Sequence, residues 1–165
     1  MRLSAALLLA ALALLVSGAL PVSAHAAGSP RLDRAERALI RAINRQRGAA
    51  GLRGLHARAG LDRAADFHSR EMLRADRFAH ESPDGTPMQR RVRRFVRARM
   101  LGETIAMIGG GCGRGLAGTV VRLWMHSPGH RAVLLTRGFK RIGVAHRTGR
   151  LGAQRACLVT ADFTR

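Results

Sequence analysis

The chain has no tyrosine, one tryptophan and five phenylalanines among its 165 residues. Proteins that hold single-stranded nucleic acid stack bases on aromatic rings, so this scarcity argues against a base-stacking platform. Lysine is almost missing too, since Lys140 stands alone beside many arginines. We attribute this skew, with the abundant alanine and glycine, to a coding bias. The formal net charge of +19 is therefore weak evidence for a nucleic-acid partner.

Acidic residues are absent between Glu103 and Asp162, and this gap argues against a dinucleotide site. Residues 113–118 read GRGLAG, which matches the glycine pattern of such a site. The site needs a strand before the glycines and a carboxylate about 20 residues after them. No clear strand pattern precedes this stretch, and no carboxylate follows at that distance. The stretch HESPD at 80–84 begins like the zinc-binding motif of metalloproteases. It does not match that motif, because it lacks a second histidine and contains a helix-breaking proline.

A long apolar run occurs only at the amino terminus. Arg2 is followed by AALLLAALALLV and by an A-x-A site ending at Ala26, a pattern that predicts a secretory signal peptide over residues 1–26. An uncleaved anchor is the alternative, but serine, glycine and proline interrupt the run of about 20 apolar residues that a span needs. We expect a secreted or cell-wall-associated chain with a short linker at 27–32 and one domain at 33–165.

Only two cysteines are present, Cys112 and Cys157. An even cysteine count in an exported chain predicts a disulfide, and two free thiols are the alternative. Closing a loop of roughly 46 residues would stabilise the fold by about 4 kcal/mol. The same pairing argues against a thiol nucleophile.

Hydrophobic spacing predicts helices first and two strands late, the order of a layered α+β domain. In the arginine-rich segment 90–99, Val92, Phe95 and Val96 form one stripe, and we expect the arginines to form a solvated face. The predicted helices run from Ser29-Pro30 to about Gly48, from about Leu61 to Asp76, over about 87–97, and from about Leu116 to His126; the predicted antiparallel strands are 141–147 and 156–163.

The stretch WMHSPGHRAVLL places His126 and His130 on either side of Ser-Pro-Gly. Proline removes a backbone donor and disfavours helical angles in the residue before it. The two histidines are therefore not a metal pair on one helix face. His126 ends one helix, and His130 follows the break.

Three polar residues stand in apolar surroundings, namely His80, Glu103 and His130. Two imidazoles and a carboxylate are suitable ligands for zinc or a similar ion. They also suit general acid–base catalysis. The alternative is a hydrogen-bonded polar cluster that fixes helix ends to the sheet.

Five stretches carry a resemblance to a known family. In order they read AINRQRGAAGLRGL, FAHESPDGTP, GETIA, WMHSPGHRAVLL and FKRIGVA, and the similarity covers about residues 33–163. This ordered set resembles the bacterial branch of the CAP superfamily, whose SCP-like domains include cysteine-rich secretory, antigen 5 and pathogenesis-related-1 proteins. The resemblance implies a three-layer α-β-α sandwich in which a small, mainly antiparallel sheet lies between helical layers.

The resemblance also implies a cleft lined by two histidines and two glutamates. His80, Glu103 and His130 match three of these positions, and the fourth falls at about Ser127. Family metal binding carries over to His80 and His130. His126 is a candidate to fill part of the gap, although a helix-end role is favoured for it. The missing carboxylate weakens any peptidase-like mechanism.

We therefore expect a secreted, monomeric binding protein whose cleft accepts Zn²⁺ or another divalent cation and whose partner is a lipid, an anionic wall polymer or a protein. The alternative is a metal-assisted extracellular hydrolase with Glu103 as the candidate catalytic residue. A third hypothesis is a basic protein retained by wall polymers independently of the cleft. His68 is interpreted as a buried helix-face histidine, and Asn44 and Arg47, which match a recurring family pair, as structural.

Overall fold

The computed structural model describes residues 32–165, so the predicted signal peptide and the predicted helix start at Ser29-Pro30 lie outside the described residues. None of the helices in this range combines the length and apolar character that a membrane span requires. The helices are α1 (Arg34–Ala49), α2 (Ala59–Arg74), α3 (Met88–Arg93), α4 (Leu116–His126) and α5 (Pro128–Leu134), and the strands are β1 (His56–Ala57), β2 (Leu101–Gly109), β3 (Arg141–Leu151) and β4 (Gln154–Thr164).

The four strands form one sheet in the order β1-β3-β4-β2. Strand β4 pairs antiparallel with both β2 and β3, and β1 pairs parallel with β3. Because β4 is central, alternate side chains enter two cores. Val159 and Phe163 face one core, whereas Ala156 and Leu158 face the other.

Helices cover both faces of the sheet. Helices α1, α4 and α5 pack over one face, and Trp124 of α4 lies in that core. Its indole Nε1 donates to the Ile105 carbonyl of β2 at 2.9 Å. Helix α2 packs over the opposite face, and α3 lies beside it. This arrangement confirms the predicted α-β-α sandwich with a mainly antiparallel sheet.

Helix α1 begins at Arg34, where Asp33 caps it. The Asp33 carboxylate accepts from the Glu36 amide, and the Glu36 carboxylate accepts from the Asp33 amide, both at 2.8 Å. This reciprocal pair is a capping box. Helix α3 ends at Arg93 and not near residue 97, because the chain then turns and packs Val96 against the start of α2.

Strand β2 and helix α5 were missed by the sequence patterns. Strand β2 is specified by pairing with β4 along its whole length, a long-range contact that leaves no local signal. The predicted order of helices before strands is therefore wrong. Strand β2 does precede the GRGLAG stretch. A dinucleotide site is therefore disfavoured only by the missing carboxylate. Helix α5 starts with Pro128 in its first turn, where a proline is well tolerated.

Three features tie the layers together. The predicted disulfide is present and joins Cys112 to Cys157 of β4, 45 residues apart. The Asn44 side chain of α1 binds the Leu55 backbone, accepting from its amide at 2.7 Å and donating to its carbonyl at 3.0 Å. Arg47 is buried and donates only to backbone carbonyls. Asn44 and Arg47 are thus structural, as the sequence indicated.

The start of α2 crosses β3 at Gly143, and this approach leaves no room for a side chain. A Cβ at Gly143 would lie 2.1 Å from the Leu61 carbonyl carbon and 2.2 Å from the Asp62 amide nitrogen. We predict that Gly143→Ala lowers the free energy of unfolding by about 3 kcal/mol or more, because the clash is with backbone. Urea unfolding of the oxidised protein measures this. Gly109→Ala in β2 is the control, since nothing lies within 4 Å of its Cβ position; equal stabilities of the two variants would contradict the prediction.

Candidate functional site

A buried carboxylate organises the candidate site. Glu103 of β2 is only 5% exposed. Its Oε1 accepts from His80 Nδ1 at 2.8 Å, and its Oε2 accepts from the buried guanidinium of Arg91. Arg91 also donates to the His80 carbonyl at 2.7 Å. Two charged hydrogen bonds therefore fix His80 through both its ring and its backbone.

These contacts shift the pKa values of Glu103 and His80 in opposite directions. Burial alone would raise the pKa of Glu103, but the hydrogen bond from His80 and the positive charge of Arg91 outweigh it and hold that pKa below its usual value. The same hydrogen bond raises the pKa of His80 against its partial burial. Glu103 is thus held as a carboxylate.

Beneath this pair lies His68 of α2, which is fully buried as predicted. Its Nε2 donates to the Ala79 carbonyl at 2.9 Å, and its Nδ1 lies 3.1 Å from Glu71 Oε1. Its Nε2 is also 3.9 Å from Glu103 Oε1. Burial lowers the pKa of His68. His68 therefore fixes the segment that leads into His80.

Asp162 of β4 is the neighbour that the sequence analysis missed. It lies directly opposite Glu103 in the strand register and is fully buried. Within residues 32–165, neither of its carboxyl oxygens has a hydrogen-bond partner. Burial raises its pKa well above the usual value, and the Glu103 charge adds to the shift. Asp162 therefore favours the neutral acid, which limits charge repulsion beneath the site. The only sequence signal is polar Thr160, Asp162 and Thr164 alternating in an apolar strand.

His130 lies on α5 opposite His80. The two ring centroids are 6.3 Å apart with planes inclined at 45°, and both residues are partly exposed. Partial burial lowers the pKa of His130, and the neighbouring His80 lowers it further. Ser127 precedes α5, is half-buried, and makes no side-chain capping bond.

His126 lies elsewhere. It is exposed at the end of α4, and its Nδ1 donates to the Arg122 carbonyl at 2.7 Å. Its ring lines a separate cavity of about 340 Å³ between α1 and α4, with Arg45 and Met125 among the neighbours. This placement is that of a helix-end residue.

The arginine-rich segment 90–99 differs from the predicted solvated face at one position. Val92 and Val96 are buried as expected, but Arg91 is fully buried as well and pairs with Glu103. The error has a physical cause, because a charged residue inside an arginine run gives no local sign of a partner supplied by a distant strand.

Side chains that could ligate a metal ion also lie close together near the disulfide. In the described part of the chain, two sets of three residues have donor atoms within 4.8 Å of one another; His80, Glu103 and His130 are not a third such set. The two sets are Asp33, Glu36 and His146, and Cys112, Cys157 and His146. The cysteines of the second set are held in the disulfide, and the Asp33 carboxylate of the first serves the α1 cap. Only the set of Asp33, Glu36 and His146 is consistent with a divalent cation, because a disulfide offers no thiolate ligand.

Comparison with known proteins gives a family match over most of the described chain. The model of the cysteine-rich secretory protein family, CAP, matches residues 40–161. The uncharacterized protein YkwD of Bacillus subtilis is 30% identical over 112 residues, which cover 67% of this chain and 42% of that protein. The chain thus spans about two fifths of the length of this curated relative.

Solved structures share the fold. An extracellular protein containing an SCP domain from Bacillus anthracis has a TM-score of 0.66 and 24% identity, over 79% of this chain and 40% of that one. The structure of NaASP2 with Zn²⁺ has a TM-score of 0.58 and 12% identity, over 80% of each chain. At these identities the likeness concerns the fold alone.

The hydrogen bond between His80 and Glu103 predicts different pKa values for His80 and His130. In metal-free protein, His80 should titrate at a higher pH than His130, because Glu103 stabilises its charged form and His130 lacks a carboxylate partner. Glu103→Gln should lower the pKa of His80, since the amide keeps an acceptor but loses the charge. Proton NMR titration of the ring signals measures both. Glu81→Gln, an exposed neighbouring carboxylate, is the control; an equal shift in both variants would contradict the assigned role of Glu103.

Proposed function

Because the chain belongs to the CAP family of cysteine-rich secretory proteins, we propose that it is an extracellular binding protein whose His80–His130 cleft holds a divalent metal ion. The observation that carries this proposal is the pair of neighbouring, partly exposed imidazoles. Their ring centroids are 6.3 Å apart, and Glu103 holds one of them in place.

The donor chemistry of the cleft fits a metal. Glu103 Oε1 is held as a carboxylate acceptor, so His80 Nδ1 carries the hydrogen of their 2.8 Å bond. In the neutral ring, Nε2 then carries the lone pair that is available to coordinate a metal. A carboxylate behind a ligating histidine is a common outer-shell arrangement that fixes the tautomer and raises ligand basicity. Glu103 therefore supports the metal through His80 and is not itself a ligand.

Two imidazoles leave coordination positions for other donors. Zinc takes about four ligands in proteins, so water or oxygen atoms of a bound partner would complete the shell at His80 and His130. Ser127 stands where a second family glutamate would add a carboxylate. A site with two protein ligands and open positions suits reversible ligand binding.

Hydrolysis is the less favoured use of the cleft. A general base must be free to take a proton from water. Both oxygens of Glu103 are occupied, by His80 and Arg91, and its pKa is held low. Its role is therefore that of a positioning residue, not a catalytic base.

An extracellular location is part of the same proposal. The predicted signal peptide at 1–26 and the Cys112–Cys157 disulfide both suit export. The Bacillus anthracis structure is described as that of an extracellular protein. Outside the cell, the partner classes that we propose are lipids, anionic wall polymers and proteins, bound by a monomer.

Zinc titration calorimetry of the purified protein tests the metal site. We predict one binding event of micromolar order that is lost in both His80→Ala and His130→Ala, because each variant removes one of two protein ligands. His126→Ala is the matched control, since this exposed histidine lies at the end of α4 and bonds only the Arg122 carbonyl. Circular dichroism confirms that each variant folds.

Two results would contradict the proposal. Zinc binding that survives in both cleft variants would place the metal elsewhere, for example at Asp33, Glu36 and His146. Absence of binding to folded wild-type protein would reduce the cluster to a structural network.

A further inference from the structure

We propose a second site, independent of the metal cleft, in which a basic pocket at the β1 edge of the sheet binds a phosphodiester-linked anionic polymer. The pocket has a volume of about 430 Å³ and lies between segments 51–56 and 137–141. Its lining contains Phe139 and no acidic residue. Its basic members are Arg53, His56, Arg137, Lys140 and Arg141, and all five are exposed.

Among the described residues, the permanent charges of this pocket have no carboxylate partners. Within residues 32–165, the arginines that form ion pairs with acidic side chains are Arg70, Arg91 and Arg147, and none of them lines the pocket. Four neighbouring cations without counter-charges produce a positive potential that a concave surface concentrates. The feature depends on the convergence of two separate segments, 51–56 and 137–141.

A fifth cation lies buried behind the pocket. Arg47 is 1% exposed, and its guanidinium donates to the Arg53 carbonyl at 3.0 Å and the Phe139 carbonyl at 3.4 Å. Burial lowers the pKa of Arg47, and its hydrogen-bond acceptors are all neutral carbonyls. An anion in the pocket would supply the counter-charge that residues 32–165 do not provide.

The same arginine makes the pocket rigid. Arg47 donates to carbonyls of both lining segments, at Arg53 on one side and at Thr136 and Phe139 on the other. Strand pairing adds a second link, since the His56 amide donates to the Lys140 carbonyl at 3.0 Å. The cations are therefore gathered before a ligand arrives, and binding does not have to order the two segments.

The amount of charge points to a polymer. A single phosphate carries at most about two negative charges, whereas the pocket gathers four exposed permanent cations over a buried fifth. A chain of phosphodiesters offers one charge per repeat to successive cations and releases its own counterions. The scarcity of aromatic side chains argues against bases as the recognised element.

Binding of poly(glycerol phosphate) to the purified protein, measured by calorimetry over a series of salt concentrations, tests this site. The pocket variant carries Arg53→Gln, Arg137→Gln and Arg141→Gln. At about 0.1 M salt its affinity should fall by about 100-fold, and the slope of log affinity against log salt should decrease by about two.

A charge-matched control separates a site from general attraction. It carries Arg90→Gln, Arg97→Gln and Arg99→Gln, three exposed arginines outside the pocket. Its affinity should fall by about threefold or less, because distant charges are screened. Equal losses in the two variants would overturn the proposal.

Binding of alternative phosphate ligands tests whether the pocket prefers the polymer. Inorganic phosphate that binds as tightly as the polymer would overturn the polymer assignment. So would tighter binding to phosphatidylglycerol vesicles or to a single-stranded oligonucleotide. Zinc titration of the same pocket variant should be unchanged, since none of its three substitutions touches His80 or His130. Failure of this proposal is therefore distinguishable from failure of the metal cleft.

Discussion

The sharing of the Glu103 carboxylate between His80 and Arg91 is the interaction on which the site depends. It joins the segment after α2, helix α3 and strand β2, which no single local element would hold together. The pair lies over a second buried acid, Asp162, whose pKa is raised by burial and by the Glu103 charge. Loss of Glu103 or of Arg91 would leave the other charge buried without its partner, which costs about 3–5 kcal/mol. The network is thus a condition of both the fold and the cleft.

In the proposed site, the residue that carries the negative charge is not the residue that is exposed to a ligand. Glu103 is buried and both of its oxygens are hydrogen-bonded, so it orients His80, whereas His80 and His130 are partly exposed and accessible to a ligand. A metal between them would have open positions and no free protein base beside it. This combination favours binding over turnover. The basic pocket at the β1 edge adds a separate contact surface, which the buried Arg47 preorganises through the carbonyls it ties together.

The sequence predicted features that rest on local rules. Helix α4 has its predicted bounds, β3 and β4 pair as expected, and the two cysteines are bonded. The family resemblance supplied the layered fold. What local rules missed depends on distant partners: β2 is specified by its pairing with β4, and the burial of Arg91 by a carboxylate 12 residues away. The facing of His80 and His130 was expected from the resemblance alone, because spacing cannot bring two such segments together.

The most direct test of the proposed metal site is an anomalous diffraction map, recorded at the zinc absorption edge, from crystals of the protein grown with zinc. We predict a peak between His80 Nε2 and His130, with Glu103 still bonded to His80 Nδ1 and not in contact with the ion. A peak ligated by Glu103 itself, or one found only at Asp33, Glu36 and His146, would contradict it.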